Sequence, residues 1–136
     1  LAGILGAGEA WGLEPPTVVR TTGGYQSGCA AMAELVDTAT PPTAVVTVHD
    51  DLAIGAQAEA RRRGIRIGSD LALTGFDDIP ACVMVDPALT SVRQPFDVVG
   101  EILSDLVVAA LAGEPGEGIL VEPELIVRAS SIGDWG

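Results

Sequence analysis

The chain has 136 residues and a net charge of −12, with seven arginines and no lysine. Such an acidic surface repels phosphate groups, which argues against direct binding of nucleic acid by this chain. Apolar residues make up 48% of the chain but aromatic residues only 4%, so we predict one domain-sized unit with a core of Ala, Val, Leu and Ile. No apolar run reaches the roughly 18 residues that span a bilayer, and the start of the chain lacks the basic segment of an export signal. We therefore expect a cytoplasmic location without membrane contact.

The first forty residues predict a helix, a short strand and a second helix. Residues 1–10 are rich in Ala and Gly and have the character of a helix that stops at Gly12. After a pair of prolines, residues 17–20 predict a short strand. Ser27 is then predicted to cap a helix over residues 28–38, whose apolar side chains recur at helical spacing.

The middle of the chain predicts a strand, a helix and another strand. Residues 44–48 have the pattern of a buried strand, and residues 51–63 predict a helix that is capped by Asp50 and stopped by Gly64. The run of three arginines in the last turn of this helix complements the helix dipole, which explains it better than a nucleic-acid patch does. Residues 71–76 predict a second buried strand.

The last third of the chain predicts two further strands and a long helix. A loop or short helix over residues 79–87 precedes an extended segment over 89–93 and a helix over 96–111. Residues 119–121 and 125–128 predict two terminal strands. Strands that alternate with helices favour an α/β fold with an open parallel sheet and helices on both faces.

Polar side chains directly follow the two buried strands. His49, Asp50 and Asp51 come after the first, and Asp77 and Asp78 come after the second. In an open α/β sheet, ligands bind outside the carboxyl ends of parallel strands. We therefore expect these five side chains to lie at one edge of the sheet and to include a binding site.

Four interpretations of this acidic cluster remain open. Strand-end carboxylates accept charge-assisted hydrogen bonds from the hydroxyl or amine groups of a small ligand, with His49 as a further donor or acceptor. A phosphoacceptor or metal site of receiver type also uses strand-end acids, but that family uses a lysine as well, and this chain has none. Acid–base catalysis by His49 would need a nucleophile, for which no motif is present. The last interpretation is structural, with Asp50 capping its helix and Asp78 capping a turn; we favour it for those two residues and ligand contact for Asp77.

The two cysteines, Cys29 and Cys82, have neither metal-ligand spacing nor a CxxC pattern. We predict two unpaired thiols in a reducing compartment. We expect no metal, no cofactor and no enzymatic activity.

From residue 43 onward the sequence resembles the sensor domain of the LacI/GalR family of bacterial transcription regulators. Four stretches carry the resemblance: TAVVTVHDDLAIGAQAEARRRGIRI, DLALTGFDDIP, PALTSVRQPFDVVGEILSDLVVAAL and LVEPELIVRASS. The GFDD strand end followed by LTSVRQP is the specific part. Fainter similarity covers much of the first forty residues, so the resemblance spans almost the whole chain.

The resemblance implies a periplasmic-binding-protein-like fold of two lobes that close on a small effector. It also implies a homodimer that reads an operator through an N-terminal helix-turn-helix. Effector contacts are implied at His49, Asp77, Gln94 and Phe96, and Asp77 is the family's acceptor of effector hydroxyls. His49 stands where the family often has Asn, which alters the donor geometry. The implied dimer interface comprises three apolar residues, Ile54, Met84 and Val85, for which an ordinary place in the core is the alternative.

Two departures from the family pattern are expected to matter. The aromatic residue that often stacks on the effector falls at Gly23, so that Tyr25 would have to replace it. The helix-turn-helix, the hinge and most of the first lobe have no counterpart in this sequence. By resemblance, residues 1–93 and 119–130 form the core of one lobe, whereas helix 96–111 belongs with the other. We expect the apolar stripe of that helix to fold back on its own lobe or to pack against a second copy, because water disfavours its exposure.

The sequence therefore predicts the effector-sensing and dimerisation portion of a LacI-type regulator that responds to a carbohydrate or related metabolite. A sugar-binding protein of a transport system is the alternative, since it shares the fold. The LTSVRQP motif favours the regulators over the transport proteins. Fold alone does not decide function, so the choice depends on these motifs.

Overall fold

The computed structural model describes residues 2–114 and 116–133. The elements over these residues are, in chain order, α1 (Ala2–Ala10), α2 (Tyr25–Val36), β1 (Ala44–Val46), α3 (Asp50–Arg62), β2 (Ala72–Phe76), a 3-10 turn (Pro80–Val83), β3 (Thr90–Arg93), α4 (Phe96–Leu111) and β4 (Glu124–Ile126). The strands form one open sheet in the order β1-β2-β3-β4. The first three are parallel neighbours, and β4 pairs antiparallel to β3. The predicted open α/β sheet is confirmed, and β4 makes it a mixed sheet.

The core lies between one face of the sheet and the helices α2 and α3. Burial alternates along β2, so that Leu73 is fully buried on the helix side while Ala72 and Thr74 are half-buried on the other. Leu73 belongs to the same buried cluster as Met32 of α2 and Ala53 of α3. The core is aliphatic, as the scarcity of aromatic residues predicted.

Helices α2 and α3 approach each other at two glycines. A Cβ atom at Gly28 would lie 2.1 Å from the carbonyl oxygen of Leu52, and one at Gly55 would lie 2.0 Å from the carbonyl oxygen of Tyr25. The obstructing atoms are backbone, so no rotamer change could relieve either clash. This contact holds the start of α3 firmly against the lobe.

The arginine run ends α3 as predicted. Arg62 and Arg63 both donate hydrogen bonds to Glu59, and these bonds lower the pKa of Glu59 to about 2. Arg63 also pairs with Asp37 just after α2. Gly64 follows with a φ of +76°, which suits a glycine at a helix end.

Helix α4 has the predicted bounds but none of its residues is buried. Leu103 and Val107 of its apolar stripe are 55% and 58% exposed. The expected folding back of this helix on its own lobe therefore does not occur. None of the described helices is both long enough and apolar enough to cross a membrane.

Several local predictions are wrong. Residues 17–20 and 119–121 form no strands; their apolar side chains are largely exposed, and no neighbouring strand pairs with their backbone groups. The strand predicted over 125–128 forms with other bounds, as β4 (Glu124–Ile126), because the N–H of Arg128 donates to the hydroxyl of Thr90 instead of extending the ladder. Ser27 does not cap α2, since this helix has already begun at Tyr25.

The predicted free thiols are confirmed at both cysteines.

Candidate functional site

Strands β1, β2 and β3 end at the same edge of the sheet, and each is followed by one polar side chain of the candidate site. His49 follows β1, Asp77 follows β2 and Gln94 follows β3. Oδ2 of Asp77 lies 3.0 Å from Nδ1 of His49, and Oδ1 of Asp77 accepts a hydrogen bond of 2.6 Å from Nε2 of Gln94. The structure thus brings three of the four predicted effector contacts together on one carboxylate.

The fourth predicted contact, Phe96, opens α4 at the same edge. Its side chain is largely exposed, at 59%, and its N–H donates to the carbonyl oxygen of Gln94. Gly23 has a φ of +88°, a conformation in which a side chain would be strained. Tyr25 is exposed at the first residue of α2.

The backbone after β2 turns sharply at two acidic residues. Asp77 and Asp78 have φ values of +108° and +52°, a region that non-glycine residues rarely occupy and that stores strain at functional sites. The N–H of Asp77 donates to the carbonyl oxygen of Val92, and the N–H of Asp78 donates to Oγ of Ser91. These bonds to β3 hold the turn in place.

Asp78 forms ion pairs rather than the turn cap that the sequence predicted. Nε of Arg93 donates to its Oδ2 at 2.8 Å. Nη1 of Arg128 lies 2.7 Å from its Oδ1, an ion pair without hydrogen-bond geometry. Burial alone would raise the pKa of Asp78, but the two guanidinium groups outweigh it and hold that pKa below its usual value.

The prediction that Asp50 caps α3 is also wrong. The N-cap position belongs to His49, which makes no side-chain cap bond, and Asp50 is the first residue of the helix with 1% exposure. Its Oδ2 accepts from the N–H of Ile79 at 2.9 Å and its Oδ1 from Oγ of Ser91 at 2.6 Å. A capping and a buried aspartate look alike in sequence. The one available signal was a pair of small residues, Gly75 and Ser91, which are partners in the register of β2 and β3.

His49 carries a side chain that is 58% exposed. Its hydrogen bond with Asp77 raises its pKa; slight burial opposes this shift, and the charges of Asp77, Asp51 and Asp50 add to it. A carboxylate can only accept hydrogen bonds, so Nδ1 carries the proton that faces Asp77. Within residues 2–114 and 116–133, no three His, Cys, Asp or Glu side chains converge as metal ligands.

The three predicted dimer-interface residues differ in their exposure. Ile54 of α3 and Val85, just after the 3-10 turn, are partly buried against the core cluster. Met84 is 78% exposed. Only Met84 is therefore mainly a surface residue.

An open α/β sheet with polar groups converging at its carboxyl edge has the architecture of a lobe that binds a ligand at that edge. The chain belongs to the family of periplasmic binding protein-like domains, which it matches over residues 1–131. It is 35% identical over 121 residues to the HTH-type transcriptional repressor CytR of Escherichia coli K12, a match that covers 88% of this chain and 36% of CytR. It is 36% identical over 108 residues to the HTH-type transcriptional regulator CelR of Thermobifida fusca, a match that covers 78% of this chain and 32% of CelR.

Solved structures agree with these relatives. A regulatory protein of the LacI family from Chloroflexus aggregans matches with a TM-score of 0.88 and 42% identity, over 95% of this chain and 48% of that chain. The transcriptional regulator CelR in complex with cellobiose matches with a TM-score of 0.87 and 34% identity, over 95% of this chain and 41% of that chain. The predicted resemblance to LacI-family regulators is confirmed. The chain spans about a third of the length of these curated relatives.

Proposed function

We propose that this chain is the effector-sensing and dimerisation portion of a LacI-type transcriptional regulator, responsive to a carbohydrate or a related metabolite. The observation that carries the proposal is the Asp77 carboxylate, whose two oxygens meet His49 and Gln94 at the exposed edge of the sheet. The fold supports a ligand at this position, and the relatives are regulators.

The chemistry of Asp77 suits a polyhydroxylated ligand. A carboxylate accepts two hydroxyl donors in fixed directions through charge-assisted hydrogen bonds. In the free protein those acceptor positions are used by His49 and Gln94. The Asp77 side chain is 24% exposed, so hydroxyl groups can reach it and replace one or both of these partners.

The charge around the site disfavours an anionic effector. Asp50, Asp51 and Asp77 all act on His49, and the chain carries a net charge of −12. A phosphorylated ligand would be repelled, whereas a neutral sugar would not. The exposed ring of Phe96 adds an apolar surface for a sugar face, and CelR, a relative, has been solved with cellobiose.

The proposed mechanism is linkage between effector binding and lobe arrangement. Residues 1–93 and 119–130 would form the core of one lobe, and α4 would pack on a second lobe outside this chain. The unburied apolar stripe of α4 supports this division. A homodimer would form through Ile54, Met84 and Val85 and would bind operator DNA through a helix-turn-helix outside this chain, in the cytoplasm.

Neither alternative is favoured. CytR and CelR, the two curated relatives described above, are regulators rather than sugar-binding proteins of transport systems. Acid–base catalysis by the His49–Asp77 pair would need a nucleophile, and the sequence contains no nucleophile motif. We therefore propose no catalytic role.

Calorimetric titration of the complete gene product with cellobiose and a panel of neutral mono- and disaccharides tests the proposal. For whichever sugar binds, Asp77→Asn should make the free energy of binding less favourable by about 1.5–3 kcal/mol, the value of hydrogen bonds to a charged group. The matched control is Asp70→Asn, which removes an acid that pairs with Arg66 away from the site and should leave affinity unchanged. Failure of every sugar to bind would refute the carbohydrate proposal, and an unaltered affinity in Asp77→Asn would remove Asp77 from the site.

A further inference from the structure

We infer that Asp50 is a positioning residue: its buried carboxylate ties the segment after β1 to the turn after β2 and to β3, and thereby aligns Asp77 with His49 and Gln94. The inference rests on the proposed function in one respect: the Asp77 carboxylate that Asp50 aligns is proposed to contact the effector. The alignment itself is a property of the ligand-free protein.

The contacts of Asp50 link the three segments that carry the side chains of the site. Asp50 itself follows His49 and is the first residue of α3. Its Oδ2 accepts from the N–H of Ile79, two residues after Asp77, and its Oδ1 accepts from Oγ of Ser91, three residues before Gln94. Each attachment therefore lies within three residues of one side chain of the site.

Ser91 extends the influence of Asp50 to the strained turn. Its hydroxyl donates to Asp50 and accepts from the N–H of Asp78 at 3.0 Å. The N–H groups of Asp77, Asp78 and Ile79 thus donate in succession to Val92, Ser91 and Asp50. Three consecutive anchored N–H groups explain how two aspartates keep positive φ values, because the surroundings must over-determine such a conformation.

Burial makes this network stiff. Asp50 is 1% exposed and Ser91 is fully buried, and no ion-pair partner of Asp50 occurs in the described part of the chain. A buried carboxylate without a cation is tolerated only when hydrogen bonds satisfy it, so loss of these bonds is unfavourable. The absence of a side chain at Gly75 makes room, since a Cβ there would lie 2.1 Å from Oδ1 of Asp50.

The imidazole of His49 reports this alignment without any ligand. His49 is the single histidine of the chain, and its hydrogen bond with Asp77 is the largest cause of its raised pKa. NMR titration of the imidazole in the complete gene product, with the resonance assigned by its loss in His49→Gln, measures that pKa. Asp77→Asn defines the change when the imidazole loses its carboxylate partner.

The decisive comparison is Asp50→Asn against Asp51→Asn. Asp51 is exposed, its side chain accepts from the N–H of Leu52, and its charge acts on His49 more strongly than the charge of Asp50 does. If Asp50 acted only through its charge, Asp51→Asn would give the larger fall in the His49 pKa. Positioning predicts the opposite: Asp50→Asn should lower the pKa more than Asp51→Asn, toward the value in Asp77→Asn.

Two further variants separate positioning from general loss of stability. Ser91→Ala changes no charge and should lower the His49 pKa in the same direction as Asp50→Asn, which keeps the test decisive if Asp50→Asn does not fold. Leu73→Ala removes a fully buried core side chain that takes no part in these hydrogen bonds, and it should reduce the free energy of unfolding without changing the His49 pKa. An equal shift in Leu73→Ala, or shifts in Asp50→Asn and Ser91→Ala no larger than in Asp51→Asn, would overturn the inference. Because no effector is needed, this outcome is independent of the sugar titrations that test the proposed function.

Discussion

Asp77 and Asp78 are adjacent in the chain, but their carboxylates occupy opposite environments. Asp77 meets His49 and Gln94 at the exposed edge of the sheet, whereas the Asp78 side chain is 5% exposed and pairs with Arg93 and Arg128. Two consecutive positive φ values produce this separation. The first acid is therefore available to a ligand, and the second attaches the turn to β3 and the segment after β4.

The environment of Asp78 predicts a large stability effect. Asp78→Asn leaves Arg128, whose side chain is 14% exposed, without its anionic partner. Removing one partner of a buried ion pair costs about 3 kcal/mol. We therefore expect chemical denaturation to show a decrease of that order in the free energy of unfolding. The control is Asp70→Asn, because the pair of Asp70 with Arg66 is exposed and should contribute much less. Equal losses in the two variants would contradict the importance of burial here.

The His49–Asp77 pair predicts a pH dependence of stability. The folded protein raises the pKa of His49 above its ordinary value of 6.5, so folding favours the protonated imidazole. The stabilisation is fully present below pH 6.5 and is lost as the pH rises through the raised pKa. The difference in unfolding free energy between the wild type and His49→Gln should therefore shrink with rising pH. A difference that grows with pH would contradict the pairing.

Gly55, where α2 and α3 cross, and Gly100 of α4 are predicted to respond in opposite ways to replacement by alanine. Gly55→Ala places a Cβ atom 2.0 Å from the carbonyl oxygen of Tyr25, and separating the helices should cost on the order of 3 kcal/mol. Gly100 lies in α4, where an added Cβ atom would meet nothing within 4 Å, so Gly100→Ala should stabilise the helix by about 0.5–1 kcal/mol. Thermal unfolding of both variants measures the contrast. Destabilisation by Gly100→Ala would show that α4 is packed at that position.

The proposed dimer interface predicts that Met84→Glu weakens self-association of the complete gene product. A charge placed on a side chain that is 78% exposed should leave the fold intact but disfavour burial against a second copy. Sedimentation velocity over a concentration series measures the dimer fraction. Ile119→Glu, at a position that is 56% exposed outside the proposed interface, is the matched control and should not alter the dimer fraction. An unchanged dimer in Met84→Glu would exclude Met84 from the interface.

The exposed stripe of α4 predicts that the 136-residue chain associates through this helix when it is studied alone. Val107 is 58% exposed, and apolar area of this kind favours burial by about 25 cal/mol per Å². Val107→Glu should therefore shift the chain toward monomer in light scattering. Ser104→Glu adds the same charge to a polar position of α4 and should have little effect. A wild-type chain that is monomeric with α4 free in solution would contradict the expectation.

Much of the fold could be predicted because it depends on local pattern. Helix α4 has the predicted bounds, since its apolar spacing and the preceding proline are local signals. The strand β2 and the end of α3 at Gly64 were found for the same reason. The strands predicted over residues 17–20 and 119–121 were wrong, because a strand exists only if another strand pairs with it.

For the site, the sequence by itself determined which chemical groups stand at the strand ends: His49, Asp77 and Gln94 follow β1, β2 and β3. It did not determine their connections, since the sequence predicts a helix cap at Asp50 and a turn cap at Asp78 and neither forms. Only the tertiary structure decided that Asp50 is buried against Ile79 and Ser91 and that Asp78 pairs with Arg93 and Arg128. The physical reason is that the burial and partners of a carboxylate depend on groups distant in the chain, 29 and 41 residues away for Asp50.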